Sequence, residues 1–100
     1  MINYNGRKFR SVVNSDNGEV GSETEFQYRQ SGNIVTAIYS GGSILIGQLL
    51  ATSDAAGVLD MRYHHVNTQG ELMTGVCRSV PELLPDGRIR LHESWRWTSV

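Results

Sequence analysis

Residues 25–52, EFQYRQSGNIVTAIYSGGSILIGQLLAT, carry two turn signals, Ser31-Gly32 and Gly41-Gly42, between segments rich in Val, Ile, Thr, Tyr and Phe. Such segments favour strands, and turn pairs this closely spaced join them as hairpins. A tight hairpin fixes which residues stand opposite one another, and along a strand that fixes the face each side chain takes. A two-residue loop at Ser31-Gly32 puts Phe26 and Tyr28 on the same side as Ala37 and Val35. A second at Gly41-Gly42 puts Ala37 and Tyr39 with Ile44 and Ile46. Both hairpins thus gather aromatic and aliphatic side chains on one face, which the fold must remove from water.

The same reading extends in both directions. Upstream, a two-residue loop at Asn17-Gly18 sets Phe9 opposite Phe26 and, on the other face, Arg10 opposite Glu25. Downstream, a two- or four-residue loop at 54–57 pairs Leu50 with Met61 and brings Leu59 and Tyr63 inward. After Asn67 two readings stay open: a two-residue loop turns Leu72, Thr74 and Val76 inward, a three-residue loop Met73, Gly75 and Cys77. In the last segment Ile89, Leu91, Trp95 and Trp97 share a face with Glu93, and Arg88, Arg90, His92 and Arg96 take the other. Strands are expected at 7–13, 22–30, 33–40, 43–53, 57–67, 71–79 and 88–98, with PELLPDG (81–87) as a loop interrupted by two prolines. Gly47 and Gly75, inside strands, read as bends or bulges.

The expected fold is therefore all-β: a single domain over residues 1–100, an antiparallel up-and-down meander of seven to eight strands forming a small calycin-like barrel, similar in kind to lipocalin- and avidin-like barrels. Seven strands leave the first and last running the same way, so antiparallel closure needs an eighth, from Met1–Asn5 or from a partner chain. The outer faces of the strands at 33–40 and 43–53 carry Ile34, Ile38, Leu45 and Leu49. A patch of that kind calls for a cover, either the N-terminal arm or the second subunit of a homodimer.

Composition narrows the function classes. One hundred residues make one domain, not two. Nine Lys plus Arg against ten Asp plus Glu give a net charge of -1 without long runs of either sign, which removes the electrostatic footprint of a nucleic-acid or anionic-membrane binder. The single cysteine, Cys77, forms no internal disulfide, and MINYNGRKFRSVV lacks the apolar stretch of a secretory signal, so the chain reads as cytoplasmic. Its longest apolar run, SILIGQLLA (43–51), is far short of the roughly 20 residues of a membrane-spanning helix.

Candidate chemistry concentrates on the inward face. His64 and His65 are neighbours in a strand and point to opposite sides, so they cannot share one ion. Only His65, Glu93 and, on one reading, Cys77 meet inside, and no CxxC or HExxH spacing accompanies them; no metal and no cofactor are assigned. Glu93 between Leu91 and Trp95 is a carboxylate among aromatics, whose pKa rises unless a cation or hydrogen-bond donors satisfy it. It suits ligand anchoring or catalysis, or a structural pairing with Arg7, Arg62 or a tyrosine hydroxyl. Cys77 reads as a small buried hydrophobe. No catalytic residue is assigned. The lumen set is Phe9, Phe26, Tyr28, Tyr39, Met61, Tyr63, His65, Glu93, Trp95 and Trp97. These side chains either line a pocket for a small apolar or amphipathic molecule, as a non-enzymatic binding module would, or fill a narrow barrel.

The blocks NSDNGEV, GGSILIGQLL and VLDMRYHHVNTQGELMTGVCRSVPELLPDGRIRLHESWRWTS resemble a family of short bacterial proteins filed under the name N-acetylglutamate synthase. The resemblance covers nearly the whole chain. The label implies an acetyltransferase, and enzymes of that kind resemble mixed α/β domains with a Gly-rich coenzyme A loop before a helix. This sequence has no counterpart of that unit, so no substrate residue carries over.

Overall fold

A computed structural model describes residues 2–10 and 19–99. The Asn17-Gly18 loop lies outside the described residues. The rest is a single sheet of seven antiparallel strands in sequence order, curled into a half-barrel: β1 (Lys8–Arg10), β2 (Glu25–Ser31), β3 (Ile34–Gly41), β4 (Ile44–Ser53), β5 (Leu59–Asn67), β6 (Leu72–Leu83) and β7 (Ile89–Trp97). Among the described residues no helix is long and apolar enough to cross a membrane. The concave face buries Phe26, Tyr28, Val35, Ala37, Tyr39, Ile44, Leu59, Met61 and Tyr63, the set expected from hairpin register. Phe9 stands opposite Phe26 and Arg10 opposite Glu25, as expected, with Arg10 and Glu25 ion-paired at 2.7 Å.

Turn chemistry explains where the register departs from expectation. The first two hairpins close at Gly32-Asn33 and Gly42-Ser43, where glycine takes positive φ (58° and 63°) and the following residue does not. Glycine first in a two-residue loop is the type II′ pattern, which follows strand twist. The Gly32-Asn33 loop shifts pairing by two residues and preserves every face. At β4 the outcome differs. Leu45 is an extra residue relative to both neighbours, since Gly41 pairs with Ile44 but Tyr39 with Gly47, and Asn67 pairs with Ile44 but Val66 with Ile46. This β-bulge turns Leu45 and Ile46 both outward and reverses the rest of the strand. Leu49, expected outside, is buried at 5 % exposure beside Ala51, and Ile46 and Leu50, expected inside, are exposed.

Three four-residue turns, Asp54–Gly57, Asn67–Gly70 and Leu84–Gly87, share one geometry. In each the glycine amide donates to the first residue's carbonyl at 3.0 Å, and the glycine adopts positive φ. A type I turn followed by a left-handed glycine adds one residue to the hairpin. It pairs Ala51, not Leu50, with Met61, and it settles the open choice in β6 so that Met73, Gly75 and Cys77 face inward. It also makes PELLPDG half strand: β6 continues through Pro81, opposite Leu91, to Leu83. Gly47 and Gly75 are not the bend residues. They lie opposite Tyr39 and Tyr63, and a Cβ at either position would overlap the facing tyrosine.

The sheet stays open between β1 and β7, which do not pair among the described residues. Ile2–Asn5 neither adds a strand nor covers the outer face. It crosses one end of the half-barrel: the Gly6 amide donates to the Tyr28 carbonyl at 2.9 Å, the Tyr4 amide to the Gln30 side chain at 2.8 Å, and the Tyr4 hydroxyl to the Gly57 carbonyl at 2.5 Å. Tyr4 is fully buried, and its burial pushes the phenol up to about 12. The outer face of β3 and β4 is left with Ile34, Ile38, Leu45, Ile46 and Leu50, each more than half exposed.

Candidate functional site

The open seam is a cleft of about 670 Å³. One wall comes from β1 and β2, where Phe9, Phe26 and Tyr28 project from the concave face; the other comes from β7, where Ile89, Leu91, Glu93 and Trp95 do the same. Val20, Leu84, Arg10, Arg88, Arg90 and His92 complete its lining. Alternation along β7 explains the division, since Arg90, His92 and Arg96 take one face and Ile89, Leu91, Glu93 and Trp95 the face toward the cleft. Trp95 retains 44 % exposure because β7 is an edge strand with no described strand beyond it.

Of the ten lumen residues, five line this cleft: Phe9, Phe26, Tyr28, Glu93 and Trp95. Deeper in, Phe26 stacks on Tyr39 at 4.6 Å, and Trp95 meets Tyr63 edge-on at 5.0 Å. The space among these rings, Leu49 and Met61 is too narrow to admit water. Tyr39, Met61 and Tyr63 therefore belong to a filled core, and so does His65, sandwiched between Tyr63 and Trp97 at 6.3 and 5.8 Å. The half-barrel is both things at once: packed toward β3–β5, open toward its seam.

His65 and Glu93 do not form a pair. Glu93 shares a row with Ser79 and Leu59, while His65 lies six residues further along β5, roughly 20 Å away at strand spacing. Each has its own partner. His65 is buried, with Nε2 2.6 Å from the Glu19 carboxylate and Nδ1 3.0 Å from the Tyr39 hydroxyl. The Asn67 amide donates to the other oxygen of Glu19 at 2.7 Å and to Glu71 at 2.9 Å. Glu19 was not among the candidates; the signal for it was indirect, since a buried histidine requires polar partners and no strand neighbour offers a carboxylate. Among the described residues no three His, Cys, Asp or Glu side chains converge on a metal position.

Glu93 accepts a hydrogen bond from the buried Ser79 hydroxyl at 2.6 Å, and Cys77 lies 3.8 Å beyond Ser79. Glu93 is exposed along the open seam, yet the surrounding protein still desolvates its carboxyl and raises its pKa, against the lowering effect of the Ser79 hydrogen bond. Burial, then the Glu93 charge, pushes the Cys77 thiol up to about 12, so it stays protonated and unreactive at neutral pH. Burial, followed by the charges of Cys77 and Glu93, takes Tyr63 to about 12, and Tyr28 also rises, by burial and then by Glu93. Arg7 and Arg62, considered as partners for Glu93, lie elsewhere: Arg7 donates to the Asn3 carbonyl at 2.8 Å and Arg62 pairs with Asp60 at 2.6 Å on the outer face.

A family model described as "Avidin-like protein" matches residues 2–100. Comparison with curated proteins and comparison with solved structures each gave no match. The match supports the small β-barrel part of the sequence resemblance and does not address the N-acetylglutamate synthase label.

Proposed function

The chain belongs to the avidin-like family, and on that premise we propose that it is a non-enzymatic binding module whose seam cleft takes up a small apolar or amphipathic molecule. Small β-barrels of this family typically bind small ligands. The observation that carries the reading is the cleft itself: about 670 Å³ of concave space, walled by Phe9, Phe26, Leu91 and Trp95 and lined also by Glu93 and by the basic side chains Arg10, Arg88, Arg90 and His92. That volume lies within the range that holds small organic ligands, and aromatic and aliphatic walls set beside polar groups are a feature of such sites. The acetyltransferase alternative finds no support in the geometry, because the described residues contain no loop–helix unit for coenzyme A. A cytoplasmic setting is part of the proposal, in keeping with a lone thiol that is buried and protonated.

Trp95 lines the cleft, so intrinsic fluorescence reports occupancy. A panel of medium-chain alcohols, amines and carboxylates is expected to include members that change Trp emission saturably, and the loss of that response in Leu91→Asp would locate binding. A panel that produces no saturable change overturns the proposal.

A second reading concerns assembly. Ile34, Ile38, Leu45, Ile46 and Leu50 form a contiguous apolar area on the outer face of β3 and β4 that no described residue covers, which favours a homodimer through that face. Sedimentation velocity at micromolar concentration is expected to show a dimer that Ile38→Lys with Leu50→Lys dissociates. A monomeric wild-type protein refutes it.

A further inference from the structure

Four basic residues line the cleft, and each is paired with a carboxylate that does not. Arg10 pairs with Glu25 at 2.7 Å and Arg88 with Asp86 at 2.6 Å, while Arg90 and His92 share Glu82 at 3.9 and 2.8 Å. Glu93, the one carboxylate lining the cleft, has no cation: among the described residues its partner is the neutral Ser79 hydroxyl on one of its two oxygens. Glu93 is therefore an acid without a counter-charge that shows its carboxyl to the cleft, and partial desolvation there raises its pKa. A second polar group is also unspent. Tyr28 is only 2 % exposed, and its hydroxyl makes no hydrogen bond among the described residues. Yet among the described residues no side-chain oxygen or nitrogen is sealed away unpartnered. The Tyr28 hydroxyl is thus not fully sealed, and Tyr28 is one of the residues lining the cleft.

Around these two groups stand aromatic faces and edges. Phe9 meets Tyr28 edge-on at 4.9 Å, and Trp95 shows nearly half its surface. Aromatic faces attract cations and repel anions, and the attraction grows where water is excluded.

We infer that the cleft selects organic cations: an alkyl or aryl ammonium whose charge sits against Glu93 and whose apolar part lies along Phe9, Tyr28 and Trp95. The inference rests on the cleft being a ligand site and names the ligand class. A carboxylate ligand meets Glu93 with like charge; a neutral one leaves it uncompensated. Because the cation favours the ionised form of Glu93, its binding weakens as pH falls through the Glu93 pKa, whereas binding of a neutral molecule does not follow that titration.

The test is a fluorescence titration of the whole protein with three probes of equal chain length, decyltrimethylammonium, 1-decanol and decanoate, below their aggregation concentrations at pH 7.5. The ammonium is expected to bind about tenfold more tightly than the alcohol, with decanoate weakest. In Glu93→Gln the advantage of ammonium over alcohol should fall to within about twofold, and in the wild type it should shrink when the titration is repeated at progressively lower pH. Equal binding of ammonium and alcohol by the wild type, or an ammonium preference that survives both Glu93→Gln and acidification, overturns the inference and leaves the ligand cleft standing. Absence of saturable binding by all three probes overturns the cleft reading, and this inference with it.

Discussion

Gly47→Ala tests the packing of the closed half of the barrel in a single methyl group. A Cβ at position 47 would overlap the Tyr39 ring and lie 2.8 Å from the His65 Cβ, so the ring has to leave its seat. Three interactions go with it. Moving a side chain out of a tight core costs about 1–3 kcal/mol, the Phe26–Tyr39 stack at 4.6 Å contributes about 0.5–1.5 kcal/mol, and the Tyr39 hydroxyl bond to His65 Nδ1 contributes about 0.5–1.5 kcal/mol. Against this, alanine in a strand is better than glycine by about 0.5–1 kcal/mol. Because the losses overlap, the net expectation is a destabilisation of about 2–4 kcal/mol. In a domain of this size that lowers the melting temperature by about 4–8 °C for each kcal/mol. Urea unfolding followed by circular dichroism measures it directly. The decisive comparison is the double-mutant cycle with Tyr39→Ala: once the ring is gone, the alanine should cost clearly less than in the wild type, the remainder being the shift that the His65 Cβ must make. A Gly47→Ala protein as stable as wild type, or one equally damaged with and without the Tyr39 ring, refutes the account.

Three further outcomes follow from the geometry. Glu93 has a folded-state pKa above its unfolded value, so its stabilising contribution is complete below about pH 4.5 and is lost as pH rises through the raised pKa; Glu93→Gln, which still accepts from Ser79, should unfold at higher urea than wild type at neutral pH, the gap closing at low pH, and a gap independent of pH disproves it. Cys77, with its thiol held near 12, should resist a thiol reagent at pH 8 in the native protein and react promptly in denaturant; fast native labelling contradicts its burial. Tyr4→Phe should cost about 0.5–1.5 kcal/mol through the lost bond to the Gly57 carbonyl, and Tyr4→Ala about 3–5 kcal/mol; two variants of equal stability would show that Tyr4 does not fill the end of the barrel.

Strand order and inward face were legible along most of the chain because the aromatic residues alternate with polar ones, and alternation reports a face irrespective of the exact partner. The inward set of β5 came out right through two departures that cancel: the Leu45 bulge reverses β4, and the added residue of the Asp54–Gly57 turn reverses it back. The bulge itself has no signature, because Ile44, Leu45 and Ile46 are all apolar and every register buries one of them. For the same reason Leu49 and Leu50 could not be told apart. Depth was also hidden. Alternation places Tyr39 and Tyr28 on one face but does not say that one is enclosed and the other reaches the seam. That distinction depends on curvature and on contacts distant in sequence, such as Tyr4 with Gly57 and Glu19 with His65, 53 and 46 residues apart.

The tie from Tyr4 to Gly57 also orders events in time. From β2 to β7 each pair of neighbouring strands is joined by a short turn, so this part of the sheet can zip up hairpin by hairpin with little loop entropy lost at any step. Tyr4 has no seat until the turn at Gly57 is formed and Ile2 can settle between Gly57 and Pro81. Although the ribosome makes the arm well before either of those residues, it must wait, unstructured, for them. Docking is then the last step of folding and its release the first of unfolding, so the arm governs how long the native state lasts more than how fast it is reached.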